Sequence, residues 1–154
     1  MPTLLALEGR AGRICGVAGF RNAATEPLFL ERYLREPIEI ALAQRVGSLV
    51  EREQIVEVGN LASASCRGAF HLVAMLPHLL LERGNRWIVF TATSAVRKIL
   101  SRFDAPVIEL ATAKRECVDG LADDWGRYYE TDPRVLAGYL PNGLEFDFAH
   151  AAAK

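Results

Sequence analysis

The sequence predicts an α/β domain built on a mixed β-sheet, an expectation that three observations carry. Two short apolar blocks, residues 3–8 and 13–20, are separated by Gly9-Arg10-Ala11-Gly12, the pattern of an antiparallel hairpin with a glycine-containing turn. From residue 54 onward the apolar pattern reads strand, helix, strand, helix, strand, the arrangement of strands joined by crossover helices. The length of 154 residues fits one domain, whose usual size is about 100–150 residues. We assign residues 1–148 to that domain and expect 149–154, an alanine-rich end, to be a flexible tail.

The elements follow in order. After the hairpin, Leu28, Leu30, Tyr33 and Leu34 are spaced for one helical face, and Pro37 opens a second helix carrying Ile38, Ile40, Ala41 and Leu42 that ends at Gly47. Residues 54–61 alternate as a strand. A helix from about Cys66 is closed by Gly84 and Asn85, with Pro77 expected to kink it. Arg86 to Thr91 reads as a buried strand, Ser94 as the cap of a helix bearing Val96, Ile99, Leu100 and Phe103, and Pro106 to Leu110 as the strand after it. Trp125, Tyr128 and Tyr129 are spaced so that Trp125 and Tyr128 or Tyr129 fall on one helical side, and they read as core aromatics. A last strand, Val135 to Leu140, is followed by a turn at Pro141-Asn142-Gly143.

Composition excludes several function classes. Eighteen basic and 19 acidic residues leave a net charge of −1, so no overall field draws phosphate backbones or anionic lipid, and nucleic acid is not an expected partner. Cys15, Cys66 and Cys117 are odd in number and widely spaced, which argues against a disulfide framework. The start, Met1-Pro2-Thr3-Leu4-Leu5-Ala6-Leu7-Glu8, lacks a basic leader, so it reads as a strand in a cytoplasmic protein rather than a signal peptide. The longest apolar run, Leu72 to Leu81, falls short of the roughly 20 residues that span a bilayer. His71 and His78 are too far apart for the usual helical ligand pair, and no metal is expected.

Chemistry concentrates on the strand Ile55-Val56-Glu57-Val58-Gly59-Asn60-Leu61. With a side-chain period of two, Ile55, Glu57, Gly59 and Leu61 share one face and Val56, Val58 and Asn60 the other. A carboxylate among such apolar neighbours is either paired with an arginine or raised in pKa toward the range of a general base. Gly59 leaves room for a ligand or marks a bulge. Just beyond, Ser63, Ser65, Arg67, Gly68 and Ala69 occupy a strand-to-helix junction, where free amides favour an anion, although serines there also serve as ordinary caps. Cys66 at the same place reads as a small buried thiol rather than a nucleophile. Thr91 and Thr93 follow the next strand, at the end of the sheet where open α/β sheets place ligands. Tyr128 and Tyr129 are the candidate phenolic proton donors.

Four blocks resemble the thermostable hemolysin family of bacterial proteins: Pro27-Leu28-Phe29-Leu30-Glu31-Arg32-Tyr33-Leu34 with Pro37-Ile38-Glu39, Ile55 to Ser63, Trp87-Ile88-Val89-Phe90-Thr91-Ala92-Thr93, and Trp125-Gly126-Arg127-Tyr128-Tyr129. Together they extend the resemblance over about residues 14–140. That family in turn resembles the GNAT acyltransferase superfamily and the acyl-homoserine lactone synthases.

The resemblance implies a GNAT-like mixed sheet flanked by helices and an N-acyltransferase activity, with a pantetheine thioester as donor and a small amine as acceptor. The thioester arm would lie beside Val58, Gly59, Asn60 and Leu61, its phosphate near Cys66 to Ala69, and Glu57 matches the position of the base. Two departures qualify this. The GNAT phosphate loop has Arg or Gln, two residues, Gly, one residue, then Gly or Ala; aligned on Gly68, this chain has Ser65 and Phe70 at the outer places. An acyl carrier protein's phosphopantetheine thus stands beside coenzyme A as donor. The strand and helices that precede the hairpin in related proteins are also missing from the pattern, so a second subunit in a homodimer, a large acceptor or a loss of catalysis is each compatible. The alternatives to the enzyme are a membrane-active hemolysin and a non-catalytic binding module that keeps the fold.

Overall fold

In the computed structural model the described residues are 1–9, 12–102, 104–118 and 125–143. The expected tail at 149–154, and Phe103, lie outside them. The elements are β1 (Thr3–Glu8), β2 (Ile14–Asn22), α1 (Ile38–Val46), β3 (Ile55–Ser63), α2 (Cys66–Glu82), β4 (Trp87–Ala92), α3 (Ser94–Arg102), β5 (Val107–Thr112), β6 (Arg134–Tyr139) and α4 (Leu140–Gly143), with single 3-10 turns at Phe29–Tyr33, Arg52–Gln54, Arg115–Val118 and Tyr128–Thr131.

The strands form one six-stranded sheet in the order β1-β2-β3-β4-β6-β5. β1, β2 and β3 run as an antiparallel series. β3 and β4 are parallel, joined by α2 as a parallel pair requires. The expectation that each crossover joins neighbours fails once: β6 inserts between β4 and β5, antiparallel to both. In that central slot β6 is enclosed, with Val135, Leu136, Ala137 and Gly138 all buried.

Each sheet face has its own core. Ile55, Trp87, Val89, Val135 and Ala137 pack with Leu30, Tyr33, Ile38 and Leu42, so the Phe29–Tyr33 turn and α1 cover one face. Ala18, Val56 and Val58 pack with Leu76, Leu80 and Leu140, so α2 and α4 cover the other.

Local chemistry explains the boundaries. Pro37 stands at the N-cap of α1, and Gly47, at φ 73°, ends it in the left-handed conformation that glycine adopts without steric cost. The first predicted helix is instead one 3-10 turn, Phe29–Tyr33. It ends where Leu34 turns extended, at φ −101° and ψ 156°, and Pro37 forbids a helix through Glu36. At α3 the cap is Thr93 rather than Ser94: Thr93 Oγ1 accepts the Val96 N–H at 3.4 Å. The helical side expected for residues 125–129 does not form, because Gly126 takes φ 52°. Trp125, Tyr128 and Tyr129 are accordingly half-buried or exposed rather than core. The predicted turn at Pro141-Asn142-Gly143 is the end of the short helix α4.

Candidate active site: a cavity through the sheet

Parallel pairing between β3 and β4 ends at Val58↔Phe90, although β3 runs on to Ser63 and β4 to Ala92. The cause lies two residues further along β3. Asn60 has φ 51°, and against β2 the register steps from Val17↔Ala62 to Gly19↔Gly59, so β3 carries an extra residue there. Such a bulge bends its strand and strengthens the twist. Asparagine is one of the few non-glycine residues that tolerates the left-handed region. Gly59 is thus the neighbour of the bulge and not its left-handed residue.

The bulge also breaks the alternation of side chains. Leu61 does not continue the Ile55-Glu57-Gly59 face but packs with Val58 in the α2-side core. The expectation that Leu61 shares a face with Glu57 is therefore corrected: one inserted residue inverts every side chain after it.

Where β3 and β4 part, a cavity of about 560 Å³ opens between them. On the α1 side of the sheet its wall includes Arg21, Phe29, Glu57, Trp125 and Tyr128. Val58, Gly59, Asn60, Leu61, Thr91 and Thr93 line the passage through the sheet. On the α2 side it ends among apolar residues of α2, α3 and the β4-β6-β5 sheet surface. Ser63, Ser65, Arg67, Gly68, Ala69 and Tyr129 lie outside its wall. A Cβ at Gly59 would come within 2.5 Å of Met1 Cε, so the space left by that glycine is filled by the methionine side chain.

Glu57 is 3% exposed. Its Oε2 accepts the Phe29 N–H at 2.9 Å and its Oε1 the Leu30 N–H at 3.0 Å, so the carboxylate satisfies two amides that a helical turn leaves free at its start. Arg21, its register partner on β2, brings Nε to 3.5 Å from Oε2. That Nε is buried and has no hydrogen-bond partner, whereas Arg21 Nη1 donates to Glu26 Oε2 at 3.2 Å and the Pro27 carbonyl at 3.3 Å. Burial pushes the Glu57 carboxyl above its ordinary range, and the two amides and Arg21 only partly offset it. Both readings of this residue from sequence therefore apply: it is paired, and it is raised.

Around Glu57 stands an aromatic group. Phe29 and Trp125 stack at 5.3 Å between ring centroids, and Trp125 meets Tyr128 edge-on at 5.0 Å. Burial pushes the Tyr128 hydroxyl up to about 12. The Tyr129 hydroxyl is hydrogen-bonded to that of Tyr33 at 2.8 Å. Trp125, Phe29 and Arg21 were not among the residues expected from sequence. Arg21 alone left a usable trace, a charged residue closing the apolar block Val17-Ala18-Gly19-Phe20.

The junction at the start of α2 is braced by its two serines. Ser65 Oγ accepts the Gly68 N–H at 3.1 Å, and the single proton of Ser63 Oγ lies between two carbonyl acceptors, Ser65 at 2.8 Å and Cys15 at 3.0 Å. Gly68 is required by close packing, since a Cβ there would collide with Ser63 Oγ and stand 3.1 Å from the Cys15 carbonyl. Arg67 is exposed beside this turn. His71 and His78 are both exposed, and the described residues contain no cluster of three or more His, Cys, Asp or Glu placed to hold a metal. No described helix is long and apolar enough to cross a membrane.

The fold is that of GNAT-like acyl synthases. TofI, solved in a ternary complex with an inhibitor and MTA, superposes with a TM-score of 0.60 at 16% identity, over 95% of this chain and 70% of that one. The CoA-dependent acyl-homoserine lactone synthase MesI gives 0.62 at 17% identity, over 98% and 69%. FeeM, an N-acyl amino acid synthase from uncultured soil microbes, gives 0.59 at 16% identity, over 91% and 73%. A sequence search among curated proteins finds no match. The thermostable hemolysin family, however, matches over residues 1–144, and the chain belongs to that family.

Proposed function

We propose that this protein is an N-acyltransferase that moves an acyl group from a pantetheine thioester, carried by coenzyme A or by an acyl carrier protein, to a small amine. The observation that carries the reading is the cavity through the parted strands, with an ionisable pair and phenol at one end and an apolar wall at the other. A thioester fits such a passage: its acyl chain takes the apolar end, and its carbonyl lies where the strand backbone beyond Val58 has no partner on β4. The CoA-dependent synthase MesI and the N-acyl amino acid synthase FeeM share the fold, which supports the choice of reaction class.

In this mechanism the amine nitrogen attacks the thioester carbonyl carbon and loses a proton to Glu57. Each carboxylate oxygen keeps a lone pair after accepting its amide, and the raised pKa suits a base. Collapse of the tetrahedral intermediate breaks the C–S bond, Tyr128, still protonated at neutral pH, gives its proton to the departing thiolate, and the phenolate regains a proton through solvent as Glu57 releases the one taken from the amine. Phe29 and Trp125 enclose the amine. Tyr129 acts as a positioning residue through Tyr33. The donor's phosphate would lie against the start of α2 near Arg67, Gly68 and Ala69, with Ser63 and Ser65 bracing the turn.

The test is direct. Purified protein is incubated with acyl-CoA and acyl-carrier-protein donors and a panel of amines and amino acids, and N-acyl product and free thiol are followed by mass spectrometry. Amide product with stoichiometric thiol release is the expected result. Neither binding nor turnover of any donor would sink the proposal.

A further inference from the structure

One row of residues crosses the sheet beneath the apolar end of the cavity. Val56 pairs with Ile88, Ile88 with Gly138, and Gly138 with Val107, so the row runs across β3, β4, β6 and β5. Ile88, Gly138 and Val107 line the cavity floor, and Leu76, Val96 and Leu100 from α2 and α3 form its roof. Strands are about 4.8 Å apart, so this arm reaches about 10 Å sideways from β4 to β5. An acetyl group would leave most of that space empty. A space lined this way does not hold water well, since water needs two or more polar partners.

Gly138 has no backbone reason to be glycine. It lies in the middle of β6 and is absent from the glycines with positive φ, and a glycine inside a strand weakens it. What the missing side chain supplies is room. A Cβ would stand 3.3 Å from Ile88 Cγ2 and 3.9 Å from Val107 Cγ1, so an alanine fits after a small adjustment, whereas a branched side chain has only the cavity to enter.

We infer that Gly138 sets the length of acyl chain that the cavity accepts, and that the donor carries a fatty acyl chain rather than an acetyl group. This rests on the acyl-transfer reading above. Each buried methylene changes affinity about fourfold, so a side chain that displaces two or three methylenes discriminates between long and short chains by about tenfold or more.

The experiment compares the native protein with Gly138→Ala, Gly138→Val and, from the opposite wall, Leu100→Phe. For each, kcat/KM is measured with thioesters from acetyl to hexadecanoyl, and binding of the free fatty acids is measured by displacement of a fluorescent dansyl fatty acid. Thermal melts confirm folding, and Leu100→Phe keeps the test intact if Gly138→Val fails to fold. We expect the native protein to favour a medium or long chain. The long-to-short ratio should fall at least tenfold in Gly138→Val and Leu100→Phe, and less in Gly138→Ala. Equal losses at every length in the folded variants, or a native preference for acetyl, would overturn the inference. If no thioester is turned over but fatty acid binding shows the same shift in length, the depth assignment stands and the acyl-transfer reading falls; if no fatty acid binds, the depth assignment falls by itself.

Discussion

Arg21 and Glu57 face each other across the β2–β3 ladder, 3.5 Å between Nε and Oε2, yet the carboxylate accepts its hydrogen bonds from the amides of Phe29 and Leu30. The same residue that reaches the cavity thus pins the turn that carries Phe29. Its anchoring role and its proposed role as base separate in experiment.

Glu57→Gln keeps one acceptor but turns an NH2 toward one of two amide donors. We expect a loss of about 1–3 kcal/mol of stability and no turnover, with donor affinity unchanged. The pH dependence has a definite sign. The folded-state pKa of Glu57 is raised above 4.5 by burial, so its contribution to stability is fully present below that value and declines as pH rises through the raised value. Urea unfolding of native and variant protein from acid to neutral pH should show the native advantage shrinking with pH. An advantage that grows with pH would contradict this environment.

Asn60→Val should cost about 1–2 kcal/mol, because a β-branched residue is strained at φ 51°. Asn60→Gly should change stability by a few tenths at most. Chemical denaturation measures both. If the bulge holds β3 and β4 apart, Asn60→Val also weakens donor binding.

Tyr128→Phe should lower kcat by about a hundredfold if the hydroxyl protonates the leaving thiolate, with KM for both substrates nearly unchanged. Because burial pushes that hydroxyl up to about 12, native kcat should show no alkaline decline from Tyr128 through the moderately basic range. Steady-state pH profiles of the two proteins decide the point.

Trp125 is 38% exposed, so Trp125→Ala should lose little more than its stacking on Phe29, about 0.5–1.5 kcal/mol. Its effect should fall on the amine: a raised acceptor KM with an unaltered donor KM. Initial-rate kinetics with each substrate varied in turn distinguish this from a general loss.

Arg52 holds Glu31 through two bonds, Nη1 to Oε1 at 2.7 Å and Nη2 to Oε2 at 2.9 Å, and Glu39 through Nη1 at 2.5 Å. Glu31 also accepts the amides of Leu28 and Ile38. Burial alone would raise the Glu31 carboxyl, but Arg52 and the two amides together hold it below its ordinary value. Arg52→Ala should cost about 2–3 kcal/mol, since it leaves a partly buried carboxylate without its cation, and it should loosen the Phe29 turn. Thermal melts and amide exchange at residues 28–31 measure both effects.

Much of the fold is legible in the chain because it depends on local periodicity. The hairpin, β3, α2, β4, α3, β5 and β6 follow the alternation of apolar residues to within a few positions, and Pro37 and Gly47 mark both ends of α1. The elements that escape are those decided by a partner distant in sequence. Phe29–Tyr33 is fixed against the sheet by Glu57 and Glu31, which take its leading amides, and it ends after one turn where Leu34 turns extended. β6 enters between β4 and β5 through pairings that no local pattern encodes.

The candidate site divides in the same way. That a lone carboxylate sits amid the apolar residues of β3, beside a glycine, is a property of the sequence alone, because strand alternation and the cost of burying charge need no coordinates. Tertiary structure decided everything that turns this residue into part of a site. It set the bulge at Asn60 that parts the strands, the pairing with Arg21, the stacking of Trp125 on Phe29 and the room above Gly138. Each joins residues far apart along the chain, and their proximity follows from register and packing between elements rather than from the order of residues within one.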